Sequence, residues 1–185
     1  MLSVEETAIP AVKIVTPKKH GDPRGFFSET WSRKAFAEAR LDLDFVQDNQ
    51  SLSGPVGTLR GLHFQSPPFA QDKLVRVTRG RILDVAVDIR SSSPTFGKHV
   101  AVELSAENWK QLLVPVGFAH GFVTLEPDTE VIYKVTAPYA PENDHGLAFD
   151  DPALGIDWRL PLSGLTLSDK DRKHPRLAEM LRYFD

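Results

Sequence analysis

The sequence predicts a mainly β protein, a sandwich or closed barrel with a few short peripheral helices. Three observations carry that expectation: alternating apolar and polar residues through the middle of the chain, Gly and Pro breaks between the alternating runs, and little helical periodicity. From Arg81 to Ile89, the residues Leu83, Val85, Val87 and Ile89 fall on one face, while Asp84, Ala86 and Asp88 fall on the other. Gly80 supplies the turn before this run. From His99 to Leu104 the apolar set is Val100, Val102 and Leu104, and the SAEN stretch after it reads as a turn. From Thr129 to Thr136, Val131, Tyr133 and Val135 share a face. Many short strands of this kind bury their inner faces by stacking or closure, which also limits exposed edges.

Two helices are expected at the margins. Ser32 is placed to cap a short one through Ala35 and Phe36. Pro175 is placed to open a C-terminal one that buries Leu177, Met180, Leu181 and Phe184. No repeat, low-complexity stretch or linker divides the chain, so residues 1–185 read as one domain.

Composition narrows the functional classes. With 22 Lys and Arg against 25 Asp and Glu, the net charge of -3 argues against nucleic acid or an anionic membrane as a partner. The absence of cysteine excludes disulfides, thiolate metal sites and a thiol nucleophile. The opening MLSVEETAIP has two acids and no apolar run, so a cytoplasmic location without a cleaved signal peptide is expected.

Four clusters concentrate polar groups against apolar or glycine-rich surroundings. In DPRGFFSETW, Asp22-Pro23 makes a turn, and Arg24 is either a surface charge or a phosphate clamp. In QDNQSLSGPVGTLRGLHFQSPP, Gly57 and Gly61 flank Arg60 and let backbone approach a ligand just before His63. A lone histidine in an apolar strand is ordinarily a satisfied core residue. Gln47, Asn49, Arg60 and Lys73, which suit anionic or hydroxylated ligands, weigh toward a site.

In the third cluster, PVGFAH fits the Pro-x-Gly-x-x-His part of a cupin motif, delivering His120 into a barrel. Phe64 and Gln65 follow His63 in place of a His-x-His pair, so a catalytic metal is not expected. Tyr133 alternates with Val131 and Val135, which fits core packing and a pocket-facing hydroxyl equally. In the fourth cluster, LSDKDRKHP, Ser168 and Asp171 read as a local cap among solvated charges, or as a carboxylate behind a histidine base.

Taken in order, DPRGFFSETW, GTLRGLHFQSPP, AQDKLVRVTRGRILDVAVDIR, SPTFG, PVGFAHGF, Tyr133 to Tyr139, GIDW and LSDKD resemble the dTDP-4-dehydrorhamnose 3,5-epimerase family nearly end to end. The resemblance implies a cupin-type jelly-roll β-barrel, homodimeric by exchange of N-terminal segments, working without metal or organic cofactor. The implied reaction converts dTDP-4-dehydro-6-deoxy-D-glucose, a dTDP-4-keto-6-deoxyhexose, into the L-rhamnose precursor by proton abstraction at C3 and C5.

It also implies roles. His63 is the base with Asp171 behind it and Asp169 as the neighbouring alternative, Lys73 supports the enolate, and Tyr133 reprotonates. Arg24, Gln47, Asn49, Arg60, His120 and Tyr139 match substrate-binding positions, Phe27, Asp144 and Lys170 are further candidates for substrate binding, and Glu29 reaches the partner's site. The chain departs from the family pattern at Asp144 to Leu147 and at Phe149, positions expected at the rim. Relatives acting at C3 or C5 alone share most of these motifs. A non-catalytic sugar-nucleotide-binding cupin and a metal-dependent cupin are the competing classes.

Overall fold

A computed structural model describes residues 2–185. The chain forms β1 (Ser3–Glu6), β2 (Lys13–Thr16), a hairpin of β3 (His20–Asp22) and β4 (Gly25–Phe27), and helix α1 (Arg33–Glu38). Then follow β5 (Gln47–Ser53), β6 (Leu59–Gln65), β7 (Lys73–Arg79), β8 (Arg81–Asp88) and β9 (His99–Ser105). The barrel is completed by β10 (Gln111–Val114), β11 (Phe118–Thr124), β12 (Thr129–Val135) and β13 (Asp144–Gly146). One sheet runs β1-β2-β10-β7-β12-β5 and the other β13-β6-β11-β8-β9, with antiparallel pairing throughout.

The sheets face one another across a core in which Val75, Leu112 and Val131 of the first meet Ile82, Phe118 and Phe122 of the second. This is the mainly β cupin-type barrel expected, and the three alternating runs become β8, β9 and β12. The β8 faces differ from a half-buried strand. Ile82 and Ala86 face the inner core, whereas Leu83, Val85 and Val87 pack outward beneath Leu147, Leu154 and Trp158. Both faces are therefore covered, and Asp84 and Asp88 stand on the inner one, fully buried. Asp88 is satisfied there by Arg90, Ser93 and Thr95, whose bonds fold the SSSPTFG loop back onto the strand.

Ser32 caps α1 as expected, its Oγ accepting from the Ala35 N–H at 3.3 Å. The C-terminal helix is not formed. Residues after Pro175 make one turn, with the Met180 N–H donating to the Arg176 carbonyl at 3.0 Å, and then continue without regular structure until Phe184 bridges Arg90. The adjacent Tyr183 and Phe184 both meet the ring of Phe64, with centroids 5.4 and 6.0 Å away. Leu177, Met180 and Phe184 still pack inward, whereas Leu181 is 71 % exposed. Among the described residues no helix is long and apolar enough to cross a membrane.

Candidate active site

Strand β6 brings His63 to the inner cleft through a close backbone approach. Gly61 has φ +127°, and a Cβ there would fall 2.6 Å from the Gly121 Cα on β11, so glycine is required for the two strands to sit together beside His63. The same pairing sets His63 opposite His120 across the ladder.

Each histidine has its own carboxylate. His63 Nε2 lies 2.6 Å from Asp171 Oδ1, and His120 Nε2 lies 2.6 Å from Asp84 Oδ1. Asp171 is buried and Asp169 is exposed, so Asp171 is the residue that meets His63. The Ser168 Oγ accepts from the Asp171 N–H at 3.1 Å, so the cap and the dyad coexist. Burial alone would raise the Asp171 carboxyl, but its polar contacts with His174, His63 and Ser168 hold it well below the usual carboxylate range. It is thus anionic at neutral pH, Nε2 of His63 donates to it, and Nδ1 keeps the free lone pair. Burial pushes His63 below its ordinary value, with Asp171 pulling the other way.

The opposite sheet supplies the cation and the phenol. Lys73 on β7 is buried, its Nζ donating to the His63 carbonyl at 3.2 Å, and burial lowers it to about 8 against the opposing pull of Asp144 and Asp84. Tyr133 on β12 packs against the core yet opens into the same cleft, which holds about 460 Å³. Burial raises its hydroxyl, so it remains protonated at neutral pH. Packing and pocket-facing readings of Tyr133 are both realised.

Arg60 and His120 line this cleft. Gln47, Asn49, Tyr139, Asp144 and Lys170 line an adjoining one of about 230 Å³ that shares His63, Lys73 and Tyr133. The rim is tied together by Asp144, which accepts from the Tyr139 hydroxyl at 3.0 Å and from Lys170 Nζ at 2.5 Å. Gln47 joins it, accepting from the Tyr139 N–H at 3.1 Å. Arg24, Phe27 and Glu29 are not brought into the cleft of their own chain. Arg24 pairs with Asp22 at the tip of the exposed hairpin, Phe27 is 72 % exposed, and Glu29 accepts from the Ser32 hydroxyl.

Two neighbours of the site carry no expectation from sequence. Asp84 shows only as a polar residue in an alternating strand, a weak signal for a buried partner of His120. His174 sits in a run of charges that reads as solvated, yet its Nε2 stands 3.5 Å from Asp171 Oδ1.

A half-buried histidine paired with a buried carboxylate, sharing a cleft with a lysine and a tyrosine inside a two-sheet jelly roll, is the arrangement of an enzyme on a cupin barrel and is suited to acid–base chemistry. The family profile described as dTDP-4-dehydrorhamnose 3,5-epimerase matches residues 6–179. The chain belongs to that family, and it is an isomerase.

A dTDP-4-dehydrorhamnose 3,5-epimerase of Sinorhizobium fredii is 55 % identical over 176 residues, covering 95 % of this chain and 90 % of the relative. The crystal structure of the Legionella pneumophila dTDP-6-deoxy-D-glucose-3,5-epimerase, in complex with dTDP-4-keto-L-rhamnose, has TM-score 0.92 and 45 % identity over 97 % of this chain and 95 % of that one. The Bacillus anthracis dTDP-4-dehydrorhamnose 3,5-epimerase, with TDP and pyrophosphate bound, has TM-score 0.91 and 47 % identity over 95 % and 99 %.

Proposed function

We propose that this protein inverts C3 and C5 of dTDP-4-dehydro-6-deoxy-D-glucose to give dTDP-4-dehydro-L-rhamnose, with His63 as base and Tyr133 as acid. The observation that carries this reading is that His63 and Tyr133 stand on opposing sheets and line one cleft, with Lys73 beside Tyr133's strand lining it too. Inversion needs a base on one face of the carbon and an acid on the other.

Protons at C3 and C5 are acidified by the C4 ketone. His63 Nδ1 takes the proton, the C–H electron pair becomes an enolate with charge on the C4 oxygen, and Lys73 stabilises that charge in a site of low dielectric. Tyr133 then protonates the opposite face, solvent returns its proton, and His63 Nδ1 gives up the abstracted proton to solvent before the next abstraction. Asp171 keeps Nε2 protonated and supports the imidazolium formed. The atoms balance without a redox partner, because product and substrate are isomers.

Arg60, His120, Gln47 and Asn49 are assigned to the sugar and diphosphate, and Tyr139, Asp144 and Lys170 to the mouth. The working form is assigned as a cytoplasmic homodimer in which Arg24, Phe27 and Glu29 of the projecting hairpin complete the partner's cleft. Their exposure supports that assignment, since Phe26 and Phe27, at 57 % and 72 % exposed, have little apolar cover in their own chain.

The test is the configuration of the product. Incubation with dTDP-4-dehydro-6-deoxy-D-glucose, followed by reduction and proton NMR, is expected to give products inverted at both carbons. Inversion at C3 alone or C5 alone would make it a mono-epimerase, and substrate bound but unchanged would make it a non-catalytic binder.

A further inference from the structure

The proposed reaction leaves one buried histidine unused. His174 has a side chain only 8 % exposed, and among the described residues its Nε2 meets nothing closer than Asp171 Oδ1 at 3.5 Å, which is not a formed hydrogen bond. Its ring meets that of His63 edge-on, with centroids 5.4 Å apart at 82°. The placement is built into β13: a Cβ on Gly146 would fall 2.2 to 2.4 Å from three atoms of the His174 ring. Any side chain there would push the imidazole off the dyad.

One donor atom each from His63, Asp171 and His174 lies within 4.8 Å of the other two. The contacts through Asp171 Oδ1 are 2.6 Å to His63 and 3.5 Å to His174. A tetrahedral Zn²⁺ with ligands at about 2.0–2.1 Å spaces them about 3.3 Å apart, so around an ion the His63–Asp171 pair opens and the widest pair, within 4.8 Å, draws in. Two imidazoles and a carboxylate suit Zn²⁺ or Co²⁺, with water completing the shell.

We propose that His63, Asp171 and His174 form a binding site for a divalent transition metal, and that its occupation switches the enzyme off. The metal takes the Nε2 lone pair of His63 and an oxygen of Asp171. The proton displaced from Nε2 passes through solvent to Nδ1, leaving a neutral ring whose base nitrogen now carries hydrogen. That nitrogen then has no lone pair to accept a proton from carbon, and the carboxylate behind it is engaged by the metal. The inhibitory consequence rests on His63 being the base, whereas the site itself does not.

Binding and inhibition are read separately, on untagged, chelator-treated protein. Titration with Co²⁺ is expected to give visible d–d absorption of a nitrogen- and oxygen-ligated ion at one per chain, displaced by Zn²⁺. His174→Phe keeps the ring packing and removes the donor. It is expected to weaken Co²⁺ binding at least about tenfold, with His174→Ala as a second variant and melting curves confirming that both are folded. Equal affinity in the folded variants, or no stoichiometric Co²⁺ uptake by the wild type, overturns the site. Zn²⁺ is expected to abolish wild-type turnover reversibly, with recovery on adding EDTA. Stoichiometric, His174-dependent binding without loss of turnover overturns the switch and counts against His63 as the base.

Discussion

Nε2 of His63 and Oδ1 of Asp171 lie 2.6 Å apart although 108 positions separate them in sequence. The C-terminal segment thus reaches back to β6 and fixes the tautomer of the residue assigned as base. Asp171→Asn keeps the shape but removes the charge that holds the proton on Nε2. The expected outcome is a fall in kcat of roughly 10²–10⁴-fold with little change in melting temperature, measured by steady-state kinetics beside thermal denaturation. Wild-type kcat in a folded Asp171→Asn variant would remove Asp171 from the mechanism.

Tyr133→Phe separates the two faces of the reaction. Proton loss to His63 does not need the phenol, but delivery from the other face does. The variant is expected to retain a measurable part of substrate deuterium wash-in while net inversion falls by about 100-fold or more. Equal loss of both would place Tyr133 in binding instead.

The pH dependence follows from two lowered groups. His63 is held below its ordinary value by burial, so its neutral, competent form is lost only as pH falls below about 6.5. Lys73, lowered to about 8, loses its charge as pH rises through that value. A bell-shaped kcat profile is expected, with the alkaline limb near pH 8. In Lys73→Arg any remaining activity should lose that limb, because guanidinium stays charged. An unchanged alkaline limb would assign it elsewhere.

Asp88 gives a stability prediction. Burial by itself would raise its carboxyl, yet bonds from Arg90, Ser93 and Thr95 bring it down to about 2. A carboxyl lowered in the folded state contributes stability above its unfolded value near ~3.9, and that contribution is lost as pH falls toward about 2. Asp88→Ala strands these donors and is expected to cost roughly 2–4 kcal/mol at neutral pH, with a shallower acid dependence in urea titrations. Wild-type stability in the variant would show that the loop does not depend on this carboxylate.

The sequence made the strands legible, because period-two alternation in β8, β9 and β12 follows from the pleat itself. It did not say which face of β8 turns inward, since Leu83 and Ala86 are both buried once a second layer covers the sheet. The C-terminal error has a similar origin. Leu177, Met180, Leu181 and Phe184 have helical spacing, but only one turn forms, after which Tyr183 and Phe184 pack on Phe64 and Leu181 is left exposed. His63 was legible only through its company of polar residues. His174 was not, because its neighbours Arg172 and Lys173 are exposed and only the backbone of Gly146 makes room for its ring.

The central claim is that one histidine abstracts the protons at both carbons beside the ketone. It is tested most directly by turnover in D₂O without added cofactor, following deuterium at C3 and C5 by NMR. Wild-type protein should place solvent deuterium at both positions, and His63→Ala should lose at least about 100-fold at both. Undiminished exchange in folded His63→Ala, or loss at one carbon only, would contradict it.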